Sequence, residues 1–599
     1  MTQNKQYFWA GLVLLLSIAY QVHCAIHGFD LTDEGYLMSL YHWFGNDIDF
    51  AQGAGGYPLT CYLGWTLDRL FPHGGILGMR LWGILVVTLT EIVAFLYLKR
   101  YFEPKTILMG LLMQTVFVAG DPKPFGYNTL TAFIGIVAFI LLCEGTLRRR
   151  YSLMFGGGLL LGVNVFVRLP NLASLAFLAL PFIVTPRETM KLELRKNATY
   201  ALTIGCGFIT ATIAVWELLV YWGADKLTVE LITSIPETLG GDSTHASDAL
   251  LTKYIDNYLS CVWHFFVFCL LAVVAGVAFR LKSRLLGLAG LAAVVFFLYQ
   301  NTYMRSNMLG DTLLAMMNGL GLFGSLYYYN KEKDKRAIAL GAIIMSLIFP
   351  LGSDGGFQTM WVGTWLMLPV GLSGIYDFIS RSAEKQKAIY LLFCSPSAKN
   401  TQSGLKAPAS HIKYGYAFCL LVLLVTIFIK IEHKVYYDPG DRIAKVHPIN
   451  SSMAKGIYTG AEKAAIVNPM LEELKRYVKA GDTLLVYDSS PLVYYLTDTR
   501  PFAGISWPCV FYGKQYVRKF MQAERETSTM PVLVMQYFYS SNNWSEIQDD
   551  YYALDSRMAF SNLDMKQNIL RFIGEHRYKT AWSNGYYKIM IPKERLDQN

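Results

Sequence analysis

The chain has 599 residues, 53% of them hydrophobic and 16% charged, with a mean hydropathy of +0.31. It is too long and too apolar for one soluble domain, which points to a polytopic membrane protein. The net charge of +9 does not imply nucleic acid, because the excess basic residues lie in short loops between apolar runs, where bilayer orientation accounts for them.

The first apolar run, Tyr7 to about Ile26, follows Lys5 and has no small-residue cleavage site, so it reads as a retained signal anchor. Directly after it comes HGFDLTDEGY, His27 to Tyr36, which places Asp30, Asp33 and Glu34 where a hydrophobic helix leaves the membrane. The rest of the outer loop 27–75 adds Asp47, Asp49 and Asp68 but only Arg69 as a full cation. That loop carries an amphipathic helix, Tyr57 to Phe71, whose Tyr62, Trp65 and Phe71 suit a position among lipid headgroups.

Further apolar segments recur at 76–98, 106–119, 128–143, 152–167, 171–185, 200–222, 259–279, 285–300, 312–329, 337–352, 359–379 and 414–431. With the first run this makes about 13 transmembrane helices. Arginine and lysine crowd alternate loops, as in Arg148 to Arg150 and Lys331 to Arg336, whereas the opposite loops hold Arg69, Lys123, Arg168, Lys226, Lys253 and Arg305. This alternation puts the N-terminus in the cytoplasm and loops 27–75 and 223–258 outside. No internal repeat or inverted pair of halves is visible, which disfavours a secondary transporter. The nine cysteines show no CxxC or zinc-like spacing, and only Cys24 and Cys61 are placed to meet outside.

With that count the tail from 432 to 599 emerges on the outer side and is long enough for its own core. Ala461 to Ala480 is helix-like with Leu471, Leu474 and Val478 on one face, and Gly481 closes it. TLLVYD, Thr483 to Asp488, and PVLVMQY, from Pro531, read as buried strands. The expected fold class is a polytopic α-helical membrane protein, residues 1–431, with a C-terminal extracytoplasmic α/β domain, residues 432–599.

The residues that can carry chemistry all fall on the outer face. A carboxylate at the lip of a membrane cavity serves as a general base or holds a divalent metal, which nominates Asp30, Asp33 and Glu34. Asp121 and Lys123 follow in GDPKPFGYN, a proline-stiffened loop that returns at once into the membrane, so its polar groups face protein or a watery cavity. Tyr127 and Asn128 continue that loop. Arg168 in FVRLPN and Arg305 in NTYMRSNMLGD match a phosphate by forked hydrogen bonds. The glycines of PLGSDGGFQT permit close approach to an anion, and Asp354 adds a carboxylate. His23 and His27, four apart on one helical face, are of the metal-ligating type but lack a fixed third partner. Polar groups drawn from separate loops of one face suggest a single outward site rather than a conduction path.

The acidic DEGY motif after the first span (Asp33, Glu34, Gly35, Tyr36), the interfacial helix behind it and Asp121 in the second outer loop resemble the GT-C superfamily of membrane glycosyltransferases. The resemblance extends loosely over the whole chain through the span count and outward C-terminal domain. It implies transfer of a sugar, with inversion, from a polyprenyl-phosphate-linked donor to a lipid, glycan or protein acceptor at the extracytoplasmic face. By that resemblance Asp33 is the general base, Glu34 and Asp121 orient acceptor or metal, and Lys123, Arg168 and Arg305 hold the donor phosphate. Asp30, Tyr36, Tyr127, Asn128 and Asp354 are the accompanying substrate-binding candidates. The cofactor is unspecified beyond a divalent metal ion that such carboxylates can hold. The expected setting is a bacterial inner membrane with the site facing the periplasm. Two other readings stay open: a transporter or flippase of lipid-linked saccharides, which would need ionisable groups at membrane depth such as Glu91 or Glu217, and a non-catalytic scaffold.

Overall fold

The computed structural model describes residues 3–120, 125–185, 189–240, 247–304, 311–351, 353, 357–393, 408–511, 513–538, 551–554 and 562–596. Its helical part begins with α1 (Gln3–Ile26), α2 (Asp33–Phe44), α3 (Pro58–Leu70), α4 (Gly75–Leu98), α5 (Pro104–Ala119), α6 (Tyr127–Arg148) and α7 (Tyr151–Val167). A tighter 3₁₀ segment, Leu169–Ala179, runs into α8 (Leu180–Val184), followed by α9 (Met190–Trp222), α10 (Asp225–Gly240), α11 (Ser247–Arg280) and α12 (Arg284–Tyr299). The part closes with α13 (Asp311–Leu326), α14 (Lys333–Ile348), α15 (Phe357–Phe393) and α16 (Pro408–His433).

Every expected apolar run falls on one of these helices. Among the described residues eight stretches are long and apolar enough to cross a bilayer, α1, α4, α6, α9, α11, α15, α16 and α12 together with the π-helical turn that continues it to Met304, so the chain is an integral membrane protein. The other runs fall on shorter pieces, so the full count of 13 crossings is not reached on length and composition. A 16-residue helix such as α5 rises only about 24 Å, short of a hydrocarbon core of about 30 Å. α7 packs closely against α9. A side chain at Gly158 would lie 2.2 Å from the Ile204 carbonyl, and one at Gly162 2.4 Å from that of Phe208. This is the four-residue small-residue spacing that lets two helices in lipid approach backbone to backbone.

The C-terminal part starts with a two-strand antiparallel pair, β1 (His447–Pro448) and β2 (Tyr458–Thr459), then α17 (Ala461–Leu474). The helix stops at Leu474, six residues before its expected end. The Asp482 carboxylate accepts from the Lys479 amide (2.8 Å) and turns the chain toward the sheet. That sheet contains β3 (Thr483–Tyr487), β4 (Arg500–Pro501), β5 (Val532–Gln536), β6 (Lys579–Ser583) and β7 (Tyr587–Ile591), in the order β4-β3-β5-β7-β6. β3 runs parallel to β4 and β5, while β7 is antiparallel to β5 and β6. Helices α18 (Leu492–Thr497), α19 (Gly513–Glu526) and α20 (Leu563–Glu575) surround it.

Strand side chains alternate between two cores. Leu484, Val486, Val532, Val534 and Ile589 join the cluster that also contains Phe29, Leu31 and the membrane helices. Leu485, Tyr487, Leu533 and Met535 enter a second cluster with Phe520, Ile569 and Phe572. Burial on both faces explains why β3 reads as an unbroken apolar run.

α18 seats directly on α2. The Leu492 amide donates to the Leu31 carbonyl (3.1 Å), and a side chain at Gly35 would meet the Leu492 nitrogen at 2.2 Å. The glycine of DEGY is thus required by contact with a helix more than 450 residues away. Gly35→Ala should overpack this joint at a cost of about 1–3 kcal/mol. The expected outcome is a lower unfolding temperature in detergent and faster proteolytic cleavage between α16 and α17. Parental stability and cleavage would contradict the packing.

Candidate active site

Two buried arginines organise the ground on which the site stands. Arg442, fully buried, donates from Nη1 to the carbonyls of Cys24 (3.1 Å) and His27 (2.7 Å) at the end of α1. Its Nη2 reaches the carbonyls of Gly120 (3.3 Å) after α5 and Ile431 (3.2 Å) in α16. Arg80 of α4 donates from Nη1 to the carbonyls of Ala25 (2.6 Å) and Gly28 (3.0 Å). Its remaining donors grip Glu34 in a fork, Nε to Oε1 at 2.7 Å and Nη2 to Oε2 at 2.6 Å, with both side chains 1% exposed. This geometry is the strong form of the arginine–carboxylate pair.

The three acidic residues of HGFDLTDEGY therefore separate by environment. Glu34 is bound to Arg80 and anchors α2. Asp30 is buried and turns inward, accepting from the Thr32 amide (2.8 Å), the Thr32 hydroxyl (2.6 Å) and the Glu34 amide (3.0 Å) in the first turn of α2. Burial pushes its carboxyl up to about 7 and the neighbouring Asp33 adds to this, while those hydrogen bonds oppose it. Asp33, the first residue of α2, is half-buried and accepts from the hydroxyl of Tyr436, just after α16.

Tyr36 is buried edge-on against Tyr57 (6.4 Å between ring centres) and Trp507 (5.7 Å), and Tyr57 stacks on Tyr127 at 4.7 Å. This aromatic chain brings together the first outer loop, the start of α6 and the C-terminal part. Asn128 beside Tyr127 is buried, and its Oδ1 has no hydrogen-bond partner among the described residues. Arg168 is buried at the end of α7 and donates to the Phe349 carbonyl (2.8 Å); the adjoining Val167 carbonyl accepts from Thr60 of α3 (2.9 Å). The residue before Arg168 thus touches α3, while the Arg168 side chain is turned to the end of α14. Asp121, Lys123, Arg305 and Asp354 lie outside the described residues.

Among the described residues no three His, Cys, Asp or Glu side chains are grouped to hold a metal ion. His23 and His27 have other uses: His27 Nδ1 lies 2.8 Å from the His23 carbonyl, and His23 Nε2 is 3.4 Å from Glu432. Cys24 and Cys61 are separate free thiols.

Several residues that shape the site carry little sequence signal. Asp438 accepts from the Phe29 amide (2.9 Å) and the Thr459 hydroxyl (2.7 Å), and its other oxygen is 3.4 Å from the Lys445 amine. Lys463 of α17 donates to the carbonyls of Phe29 and Tyr437. Burial pulls the Lys463 amine below the usual lysine range, with Asp438 and Asp30 opposing. Arg80 alone was detectable, as a charge inside an apolar run, which by itself marks a functional or paired position.

No family model matches the chain, and no curated protein sequence does. Among solved structures, ArnT from Cupriavidus metallidurans bound to undecaprenyl phosphate is similar at a TM-score of 0.52, with 10% identity over 97% of each chain. The archaeal oligosaccharyltransferase AglB from Archaeoglobus fulgidus, in complex with an inhibitory peptide and a dolichol-phosphate, is similar at a TM-score of 0.44, with 10% identity over 98% of this chain and 74% of that one. Both are GT-C superfamily membrane glycosyltransferases. The chain shares the fold of that ArnT structure. In this chain the acidic motif after the first helix is seated against α18 and Trp507 of the C-terminal part, not left free in solvent.

A crevice of about 570 Å³ opens at the far end of α2, bordered by His42, Asp68, Arg69, Asp498 and Arg500. His42 bridges the outer loop and the C-terminal part, with Nδ1 3.3 Å from Asp68 and Nε2 2.7 Å from Asp498. Burial alone would lower this imidazole, but the Asp68 and Asp498 carboxylates outweigh it and the net shift is upward. A histidine raised on folding stabilises fully below its unfolded value of about 6.5, and that contribution is lost as pH rises through the higher folded value. The resistance of the C-terminal part to proteolysis should therefore fall as pH is raised across that interval, and His42→Gln should flatten the dependence. An unchanged slope in the variant would remove His42 from this role.

Proposed function

We propose that this chain is a glycosyltransferase that moves a sugar from a polyprenyl-phosphate-linked donor to an acceptor hydroxyl or amine at the extracytoplasmic face, with Asp33 as the general base. The observation that carries the reading is the division of labour within the acidic motif. Asp30 is consumed by the turn into α2 and Glu34 by Arg80, which leaves Asp33 as the carboxylate that retains exposure. The GT-C fold and the undecaprenyl phosphate in the ArnT structure support the choice of donor class.

In this reaction the acceptor gives its proton to the Asp33 carboxylate and its lone pair attacks the anomeric carbon from the side opposite the phosphate. The bond from the anomeric carbon to the phosphate oxygen breaks, and its electron pair leaves with the polyprenyl phosphate, so the configuration inverts. The departing phosphate needs positive charge, for which Arg168 is the described candidate and Lys123 and Arg305 the others. Should a divalent cation take part, it would neutralise the phosphate, and Asp121 is the carboxylate left to hold it, since Glu34 is engaged by Arg80. The acceptor is a lipid, glycan or protein, and the proposed setting is the periplasmic face of a bacterial inner membrane, although the charge alternation of the loops fits an endoplasmic-reticulum lumen equally.

The flippase reading draws on ionisable groups at membrane depth. Glu91 of α4 is buried but accepts from Ser17 (3.4 Å) and Thr115 (3.1 Å), a helix-to-helix contact rather than an open ion path.

The test uses membranes containing the full chain, supplied with undecaprenyl-phosphoryl hexoses and pentoses, and reads the release of undecaprenyl phosphate. Removing a general base costs about 10²–10⁴-fold, so Asp33→Asn at parental expression should lose nearly all release while Asp30→Asn retains more. Parental release by Asp33→Asn would refute the assignment.

A further inference from the structure

The segment that joins α16 to the C-terminal part passes beside the acidic motif, and its conformation is unusual. Tyr437 has φ 46°, in the left-handed region that a bulky non-glycine residue rarely adopts. Such a conformation persists only where the surroundings over-determine it, and these places cluster at functional sites.

Three buried groups fix the segment. The Lys463 amine binds the Tyr437 carbonyl and the Phe29 carbonyl together. The adjacent Asp438 carboxylate takes the Phe29 amide at 2.9 Å, so Phe29 is held by both its backbone groups. Arg442 binds the segment to the ends of α1 and α5. Asp438, Arg442, Lys445 and Lys463 are each no more than 1% exposed, a heavy investment of buried charge for a linker between two folded parts. Its outcome is that Tyr436, immediately before the left-handed residue, points its hydroxyl at the Asp33 carboxylate. The Tyr436 and Tyr437 rings meet edge to face at 4.5 Å, which limits the freedom of the first ring.

We infer that Tyr436 is a positioning residue for Asp33: its hydroxyl donates to one carboxylate oxygen and leaves the other oxygen aimed at the acceptor proton. The inference rests on the proposed function and extends it, since it assigns a role in the reaction to the linker of the C-terminal part. A base held in one rotamer by a second group reacts faster than one that must find its orientation at each turnover. The same bond ties base geometry to the seating of the C-terminal part, because Lys463 belongs to α17 and Tyr436 cannot hold its place unless α17 is docked.

The experiment compares Tyr436→Phe with the parent and with Asp33→Asn in detergent-purified full-length protein, normalised to the folded fraction in the monodisperse peak. Undecaprenyl phosphate release is followed against the concentration of undecaprenyl-phosphoryl sugar. Phenylalanine keeps the ring and its packing and removes only the donor. The expected result is a kcat about 10- to 100-fold lower with the donor KM unchanged and the unfolding temperature within a degree or two of the parent. Two results would overturn the inference while leaving Asp33 in place: parental kcat in Tyr436→Phe alongside an inactive Asp33→Asn, or a rise in donor KM that accounts for the whole loss, which would make Tyr436 a donor contact. If Asp33→Asn itself is fully active, the proposed function fails and the inference fails with it. A Tyr436→Phe protein of low folded fraction is replaced by Lys463→Met, which leaves the hydroxyl in place but removes its support; parental kcat there also refutes the linkage.

Discussion

The constraint on which this structure depends is the supply of donors to helix ends at the membrane boundary. The last carbonyls of a helix have no partner within it, and near lipid they cannot rely on water. The end of α1 meets this need with two guanidinium groups that alternate along the chain: Arg442 takes Cys24 and His27, Arg80 takes Ala25 and Gly28. A cation at a helix C-terminus is also favoured by the helix dipole. Because each arginine has donors to spare, the same two groups reach α2 through Glu34, α5 through Gly120 and α16 through Ile431. One local requirement at the exit of the first helix thereby fixes the acidic motif, the end of α5 and the start of the C-terminal part in one frame.

That frame explains why three neighbouring carboxylates differ so much. Asp30 and Glu34 carry out structural work, one at the first amides of α2 and one on Arg80. Asp33 occupies the same turn but lies on the side of the helix that Arg80 does not reach. Helical geometry sends successive side chains about 100° apart, so one residue of the run faces the arginine and its neighbour faces Tyr436. A pattern that reads as a block of charge is resolved by the helix into one anchor, one turn-former and one carboxylate that keeps partial exposure.

Much of this was legible from the residues in order. The apolar runs located the helices because burial in lipid demands a continuous apolar length, and the amphipathic stretch from Tyr57 to Phe71 matched α3, Pro58–Leu70, within a residue at each end. TLLVYD matched β3 because a strand covered on both faces has no polar side to show. What sequence could not give was pairing over long separations. Nothing local to Tyr436, Asp438 or Lys463 connects them to Phe29 and Asp33 some 400 residues earlier. Gly35 likewise reads as part of a motif when its immediate cause is the close approach of Leu492. α17 ends before its apolar periodicity does because the Asp482 side chain competes for the backbone, a one-residue effect that periodicity cannot register.

These long-range contacts change what the C-terminal part is. A domain merely tethered to a membrane unit would meet it through a polar, water-filled interface and would leave the linker unconstrained. Here one face of its sheet lies in the same apolar cluster as Phe29 and Leu31, α18 replaces solvent on the surface of α2, and Trp507 touches Tyr36. Moving it away would expose that apolar area and take from Lys463 and Asp438 their bonds to Phe29, two costs that act in the same direction. The low-energy arrangement is therefore the seated one, and the acidic motif takes its shape from both ends of the chain at once. Asp33, the proposed base, belongs neither to the segment after α1 alone nor to the C-terminal part alone, but to the joint between them.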